Sequence, residues 1–570
     1  MDTAATSCRD GQPATGSHRV TERRGKPNQT REFFVRRPVI AGTVDSRSET
    51  RHNVIWVAAV FLLSASYLAL RIPDTDFLLL SPDQGYQMAL GMAAAKGRLP
   101  GFDFITQYGP AVAFASYFGF AVTGNAVGEM LLSTVGYAGA VAIGAVIVRR
   151  STGGVLGLLT AVAMLLWFPR FYKWYYALFP LIGIVCAQSY YQRWVRDERS
   201  VLLLVVWSQM VGLAWLFRYD LGLEGGVFGV MALLAAHWRS VRSRWRNANK
   251  NLILFAFGTL VLPLLYMAAI LAARGSHQLM LFTRSIYDGA VDTVDFYRIP
   301  PFQFRFGSPL SAENALALSQ ILIPITCVTG GITGIRVLFS GTSADRSKGY
   351  SLFCCSLVAL GVYPQSLHRA DLQHLLQVIY PVIITGALLC SFYLVNIRAL
   401  SWRVRIGGGA AIIAAIATML RLVPGAAFDL GSISRDPVQQ WRLLANLPAS
   451  RTGNAIADMA EALLRLTPGD AKIFLVMAPT DMPLLFFAQR VQAGILPVYE
   501  KGMFSGPFWL QQNRKSLESS PPSYLVTLQT PTDDPAPFMA DIVQEWRAQF
   551  NVTLYENSRY KLLAKGAPAK

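Results

Sequence analysis

Long apolar runs separated by short, mostly basic gaps fill the chain from residue 53 to residue 424. Eleven of them reach the roughly 17–25 residues that a bilayer crossing takes. They lie at 53–71, 127–148, 152–168, 176–191, 200–217, 221–238, 252–273, 315–335, 350–366, 375–395 and 406–424. A shorter run, 111–123, is bounded by Gly109-Pro110 and Gly124-Asn125. Its length predicts a helix on the membrane surface or dipping into it. After about residue 425 the pattern changes. Helix-like segments at 438–447, 454–466, 507–517 and 537–550 alternate with strand-like ones at 472–477, 523–528, 551–555 and 560–563. That alternation predicts a soluble α/β domain over 425–570, within the usual size range. Residues 1–52 are polar and lack apolar periodicity, which predicts a disordered tail.

The predicted fold class is therefore a polytopic α-helical membrane protein, of about eleven transmembrane helices, with a C-terminal soluble α/β domain. The domains run 1–52, 53–424 and 425–570. The tail carries ten Lys or Arg against six Asp or Glu, and cytoplasmic segments are the ones enriched in Lys and Arg. Starting with the tail inside, eleven spans leave the basic gaps 149–150, 193–199, 239–250, 336–348 and 398–405 on the cytoplasmic side. A twelfth span at 111–123 would put them outside, so eleven is preferred. The outward segments are then 72–126, 169–175, 218–220, 274–314, 367–374 and everything past about 425.

Composition agrees. Charged residues make up 15% of the chain, against about 25% in soluble domains. The net charge of +18 sits largely in the gaps between apolar runs, so it reads as a topology signal and not as a nucleic-acid surface. The six cysteines show no metal-type spacing, and adjacent Cys354 and Cys355 are poorly placed for a disulfide.

Candidate chemistry collects on the outward side. The first outward segment, 72–126, holds Asp74, Asp76, Asp83 and Asp103. Arg170 and Lys173 lie in a very short gap, Arg218-Tyr219-Asp220 interrupts two spans, and His368-Arg369-Ala370-Asp371-Leu372-Gln373-His374 interrupts two more. Basic residues outside run against the positive-inside trend. Facing carboxylates at the same boundary, they suit an anionic, phosphorylated ligand whose apolar part lies in the bilayer. Equally, Arg218/Asp220 and Arg369/Asp371 can be ion pairs that stitch helix ends. Residues 274–314 add Arg284, Asp288, Asp292, Asp295, Arg298 and Arg305 among aromatic residues; stacking on sugars, a lipid entry and an interfacial aromatic belt all fit this pattern. Asp83 follows Ser81-Pro82 and precedes Gln84, the pattern of a capping box with Pro at N1, so it also suits a helix start on dipole grounds alone.

The run SPDQGYQMALGMAAAKGRLPGFDFITQYGP (residues 81–110) resembles the first-loop signature of bacterial GT-C glycosyltransferases, the protein O-mannosyltransferase-like group. Asp83, Gly85, Tyr86, Gly97, Pro100, Asp103, Phe104, Gly109 and Pro110 occupy the signature positions. FRYDLG at 217–222 and HRADLQH at 368–374 are similar to later outer-loop motifs of the group. Many members carry two adjacent acids where this chain has Asp83-Gln84, which leaves open a helper role for Asp103.

The resemblance implies an inverting glycosyltransferase that takes a hexosyl or pentosyl group from a polyprenyl-phosphate donor to an envelope glycan, lipid or protein. Asp83 would be the catalytic carboxylate, with Asp103 assisting. Arg218 and Arg369, then Arg170 and Lys173, would bind the donor phosphate, with Tyr86, Asp220, Asp371 and His374 in support. A divalent cation could share the phosphate charge, though the sequence requires no cofactor. The expected location is the bacterial inner membrane, multi-pass, with the N-terminus cytoplasmic and the C-terminal domain periplasmic. Membrane lipids are expected partners and nucleic acid is not. A transporter or flippase of lipid-linked sugars, and a non-catalytic polysaccharide-assembly protein, are the competing expectations.

Overall fold

The computed structural model describes residues 46–71, 82–167, 171–198, 200–238, 245–296, 300–308, 311–397, 402–428, 436–475, 481–497, 504–529 and 540–566. Within it Arg47–Lys570 is one compact unit. Residues 1–45 of the tail, Asp74, Asp76, the Ser81 cap and Arg170 lie outside the described residues, and the last part of the predicted tail, 46–52, is not disordered but opens the helix Ser46–Leu70.

Each of the eleven predicted apolar segments is helical: Ser46–Leu70, Val127–Thr152, Gly154–Leu166, Trp174–Val195, Val201–Phe217, Tyr219–His237, Trp245–Phe296, Ala312–Ser340, Ser343–Val362, Leu372–Asn396 and Trp402–Phe428. Among the described residues, seven helices are long and apolar enough to cross a membrane. The apolar helices Val54–Leu70, Gly154–Leu166 and Val201–Phe217 are shorter. Trp174–Val195 has the length, with tyrosine, tryptophan and glutamine in place of many aliphatic residues.

The run 111–123 forms the helix Pro110–Thr123. Its inner face, Val112, Ala113, Ser116 and Gly119, is buried, whereas Phe114, Tyr117, Phe118 and Val122 are exposed. A helix apolar on its outer face as well suits contact with lipid. One expectation needs correction. The outward segment 274–314 is expected to be a loop, yet Trp245–Phe296 is helical on both sides of a kink at Gly275 (φ 78°, ψ −179°). Only glycine takes that backbone geometry at little cost.

The C-terminal part folds as expected, with helices Pro437–Ala445, Ala455–Leu466, Pro507–Ser519 and Ala540–Gln549. Its five strands are β1 (Lys472–Leu475), β2 (Val491–Gln492), β3 (Tyr524–Leu528), β4 (Val552–Glu556) and β5 (Tyr560–Ala564). They form one sheet in the order β2-β1-β3-β5-β4. β1 pairs parallel with β2 and β3, and β5 pairs antiparallel with β3 and β4. The two-residue β2 and the short helix Pro483–Phe487 were not predicted. Both are the elements by which the sheet meets the first-loop helix, Pro82–Ala95.

That helix ends in a Schellman motif. Gly97 (φ 79°) donates its N–H to Ala94 O at 3.0 Å, and Arg98 donates its own to Ala93 O at 2.9 Å. The left-handed glycine turns the chain and aims Arg98 at the sheet. Its guanidinium donates to the backbone carbonyls of Gln492, Gly494 (2.7 Å) and Asp103 (3.0 Å), and Ile105 N–H donates to Ile495 O at 3.0 Å. On the other side, Tyr266 donates to Pro100 O (2.5 Å), Gln278 to Gly101 O (2.8 Å), and Arg274 pairs with Asp103 at 2.6 Å. The loop 96–109 is thus held between the sheet and the kinked helix.

Beyond the kink the helix docks on the same sheet layer. Leu281 shares a buried cluster with Ile105, Phe504 and Trp509. Arg284 pairs with Asp288 (2.9 Å) and lies 3.7 Å from the Phe508 ring centre, while Trp509 Nε1 donates to Asp288 at 2.9 Å. Arg284 and Asp288 are therefore docking contacts; Asp292, Asp295 and Arg298 have no described side chains.

Hydrogen bonds from a charged donor are worth about 1.5–3 kcal/mol each. Arg98→Ala, which leaves three carbonyls without their shared donor, should lower the stability of the docked layer by about 2 kcal/mol or more. Hydrogen exchange read by mass spectrometry should show faster exchange at Ile105 and at residues 491–495, with the helix Val127–Thr152 unchanged.

Candidate active site

The first turn of the helix Pro82–Ala95 carries Asp83, the residue singled out from the sequence. An α-helix turns its side chains by about 100° per residue, and residues 83, 84 and 85 meet three different neighbours. Asp83 is half-buried and accepts a hydrogen bond from Tyr172 Oη at 2.5 Å. Gln84 donates to Glu129 Oε1 at 2.9 Å, and Gln87, one turn on, donates to the same oxygen at 2.5 Å. Gly85 faces Pro483, where a Cβ would stand 2.2 Å from the ring carbons and 2.8 Å from the ring nitrogen.

The departure from a paired-acid pattern at Gln84 now has a physical reason. Gln84, Gln87 and Glu129 are each at most 2% exposed, and a carboxylate at position 84 would face a second buried carboxylate with no donor between them. Glu129, in the helix Val127–Thr152, is thus satisfied at one oxygen by two amides.

Tyr172 and Lys173 belong to the short turn Phe171–Lys173, which leads into the helix Trp174–Val195. Lys173 is buried, and its Nζ lies 5.1 Å from the Tyr172 ring centre. Tyr108 joins this group to the next. Burial first, and the charge of Asp83 second, push its phenol well above its ordinary pKa, so it stays a neutral hydroxyl. The Arg218 guanidinium lies 5.3 Å from the ring centres of both Tyr108 and Tyr176.

Arg218 stands at the break between the helices Val201–Phe217 and Tyr219–His237. It grips Asp220 with a fork, Nε to Oδ1 at 3.1 Å and Nη2 to Oδ2 at 2.8 Å. Its Nη1 makes no hydrogen bond among the described residues. Gln365 donates to Asp220 Oδ2 at 2.7 Å and to Glu224 Oε1 at 3.4 Å. Gln365 lies in the short helix Pro364–His368, immediately before Arg369. Arg369 pairs with Asp371 at 2.9 Å. Asp371 in turn caps the helix Leu372–Asn396, accepting from the His374 N–H and ring Nδ1, each at 2.8 Å. Burial works to raise the Asp371 pKa, but the His374 hydrogen bonds and charge, with Arg369, hold it below the usual carboxylate value.

An apolar cavity of about 450 Å³ lies beside this row. It is lined by Leu221 and Glu224 next to Asp220, by Val362 near Gln365, and deeper by Phe179, Trp207 and Phe228. Glu224 Oε2 and Trp207 Nε1 are its buried polar atoms without a partner among the described residues.

The structure brings together Asp83, Lys173, Arg218 and Asp220, with Tyr108, Tyr172, Tyr176 and Gln365 as the links that sequence reasoning passed over. A cluster of ring hydroxyls in Phe171-Tyr172-Lys173-Trp174-Tyr175-Tyr176, beside a basic residue in an outward gap, was the available signal. Tyr86 supports from the first-loop helix, donating to Thr106 at 3.2 Å and packing 5.6 Å from the Tyr108 ring. Asp103 is held elsewhere: its carboxylate accepts from Leu99 N–H at 2.8 Å and pairs with Arg274. Among the described residues no group of three or more His, Cys, Asp or Glu side chains is gathered as a metal set.

No protein-family model and no curated protein matches the sequence. Among solved structures, ArnT from Cupriavidus metallidurans bound to undecaprenyl phosphate matches at 15% identity with a TM-score of 0.48, over 91% of this chain and 99% of that one. The Archaeoglobus fulgidus oligosaccharyltransferase in its apo form matches at 12% identity with a TM-score of 0.45, over 83% of this chain and 69% of that one. At these values the likeness is one of general chain path, and it assigns no activity.

Overpacking a close contact costs about 1–3 kcal/mol. Gly85→Ala should therefore lower the unfolding temperature in detergent and displace the helix Pro483–Phe487 from the start of the first-loop helix. Adding Pro483→Ala should restore part of the loss, because two of the three nearest atoms, Cγ and Cδ, are side-chain carbons that alanine lacks. An unchanged melting curve for Gly85→Ala would contradict the contact.

Proposed function

We propose that this chain is an inverting glycosyltransferase. It moves a hexosyl or pentosyl group from a polyprenyl-phosphate donor to an envelope glycan, lipid or protein acceptor. The observation that carries this reading is one row of side chains. Asp83 and Tyr172 stand at one end, the Arg218–Asp220 fork at the other, with Tyr108 between them and an apolar cavity beside the fork. A carboxylate, a guanidinium and an apolar recess match the three parts of such a reaction: an acceptor proton to remove, a phosphate to hold and a lipid tail to shelter. The first-loop signature at residues 81–110 supports the same assignment.

In this reading the acceptor hydroxyl lies against Asp83. Its oxygen attacks the anomeric carbon from the face opposite the phosphate, and its proton passes to the Asp83 carboxylate as the new bond forms. The bond from the anomeric carbon to the phosphate oxygen breaks, its electron pair stays on the phosphate, and polyprenyl phosphate leaves. Arg218, through Nη1, and Lys173 stabilise the charge on the leaving group. Tyr172 orients the carboxylate. Arg369 is a second phosphate contact at the edge of the site, kept in place by Asp371 and His374, and the neutral Tyr108 hydroxyl lies between base and phosphate. Asp103 acts by position, holding the loop to Arg274.

The reading carries a placement. Residues 1–52 lie in the bacterial cytoplasm, residues 53–424 span the inner membrane, and residues 425–570 stand on the periplasmic side with the site.

Removing a general base typically costs about 10²–10⁴-fold in rate. Asp83→Asn should lose transfer of radiolabelled sugar from polyprenyl-phosphate donors by that order, with expression and membrane insertion intact. Near-normal transfer by this variant would sink the assignment. Arg218→Lys keeps the charge but loses the fork. It should raise the donor KM by about tenfold or more, the equivalent of about 1.4 kcal/mol, and an unchanged KM would leave Arg218 a purely structural partner of Asp220.

A further inference from the structure

Residues 300–308, Pro-Pro-Phe-Gln-Phe-Arg-Phe-Gly-Ser, form a short loop before the membrane-length helix Ala312–Ser340. Phe302, Phe304 and Phe306 are 45%, 42% and 95% exposed. Fully burying one such side chain is worth about 1.5–3 kcal/mol, so three of them held in water are a standing cost.

The loop is not slack. Asn314, itself 8% exposed, accepts from Arg305 N–H at 2.6 Å and donates to Arg305 O at 2.8 Å and Ser308 O at 2.9 Å. Gln320, 3% exposed, accepts from Phe302 N–H at 2.8 Å. Phe302 sits at φ 60°, a left-handed conformation that a bulky residue rarely adopts and that is sustained only when the surroundings fix it. Two buried amides therefore fix the backbone of a loop that leaves Phe306 almost wholly exposed and Phe302 and Phe304 nearly half exposed.

The depth of the loop follows from the same amides. The Gln320 backbone carbonyl accepts from Tyr363 Oη. Tyr363 directly precedes Pro364–His368, the short helix whose Gln365 holds Asp220. The phenylalanines are thus at the end of the bundle that bears the row of charged residues. Ser311 N–H donates to Ser308 O at 3.0 Å, joining the loop to a helix whose Leu318, Ile325, Val328, Ile332 and Ile335 form an exposed apolar surface. The three rings lie in the loop fastened to the start of that helix. Arg305, paired with Glu313 at 3.4 Å and 70% exposed, adds a charged group between Phe304 and Phe306.

We propose that the loop 300–308 is a preformed anchor that inserts Phe302, Phe304 and Phe306 into the lipid headgroup layer, with Arg305 at the phosphates. Aromatic side chains favour this zone, and a loop already ordered gives up little entropy on insertion. The proposal depends on the membrane placement of the helix Ala312–Ser340 and not on the reaction assigned above.

The test uses the full chain with Phe306→Cys, carrying an environment-sensitive nitrobenzoxadiazole label, in phosphatidylcholine–phosphatidylglycerol nanodiscs. Cys8→Ser and Cys390→Ser remove the remaining thiols that are not known to be buried; Cys186, Cys327, Cys354 and Cys355 are buried. The exposed Glu518, on the polar helix Pro507–Ser519, is labelled in the same way as the reference in water. The proposal expects a blue-shifted emission at position 306, strong quenching by headgroup and shallow-chain nitroxide lipids, and loss of quenching by aqueous iodide. Emission and iodide quenching equal to those at position 518 would overturn it. So would a blue shift that appears only when a soluble polysaccharide is added, which would make the loop a glycan surface.

Discussion

Three consecutive side chains at the start of the helix Pro82–Ala95 must satisfy three unlike surfaces at once. Residue 84 meets a buried carboxylate, residue 85 meets a proline ring, and residue 83 meets a tyrosine hydroxyl. Rotation about the helix axis by a few tens of degrees would drive the helix backbone into Pro483 or pull Gln84 from Glu129. The direction in which Asp83 leaves the helix is therefore fixed by its two neighbours in sequence, and Tyr172 then holds its carboxylate. This is why a rigid helix start suits a reactive carboxylate. It also explains why the sheet layer and the helices form one compact unit: the proline that seats Gly85 belongs to the C-terminal part.

The charged groups at this boundary are paired before any ligand arrives. Arg218 holds Asp220, Arg369 holds Asp371, and Arg274 holds Asp103. Isolated charges in partly buried positions would be costly, and an ion pair with hydrogen bonds offsets much of that cost. The two expectations set out for these pairs, stitching of helix ends and binding of phosphate, are thus compatible at Arg218. Its fork uses two nitrogens and leaves Nη1, and Asp220 is itself braced by Gln365. A phosphate would add to this arrangement without dismantling it. Asp103 differs. Gly97 and Gly101, both left-handed, turn the chain so that its carboxylate closes the loop on Leu99 and meets Arg274.

Most of the fold was legible because its signals are local. The eleven apolar runs needed only length and hydropathy, and four of the five strands showed as short β-prone runs between turn residues. What sequence missed depended on distant partners. Residues 276–296 looked like a loop because Arg284, Asp288 and the aromatics around them break an apolar run. They continue a helix because Phe508 and Trp509, more than two hundred residues later, supply contacts for both charges. β2 is two residues long and has no pattern of its own. Asp83 stood out as a charge in an apolar chain, whereas Tyr108, Tyr172 and Gln365 are neutral and acquire meaning only from the atoms they touch.

The route to the site follows from what holds the first loop. On one side Arg98 fastens it to β2 and the residues after it, and on the other Tyr266, Gln278 and Arg274 fasten it to the kinked helix. A large substrate coming through either attachment would have to break several hydrogen bonds, some from charged donors. The apolar cavity asks for no such disruption. Its walls come from the helices Trp174–Val195, Val201–Phe217, Tyr219–His237 and Ser343–Val362, and two of its polar atoms, Glu224 Oε2 and Trp207 Nε1, have no partners to surrender among the described residues. An apolar chain entering between these helices would arrive with its polar end beside Asp220 and Arg218. The loop, too firmly held to let a large molecule pass, instead keeps Asp83 still.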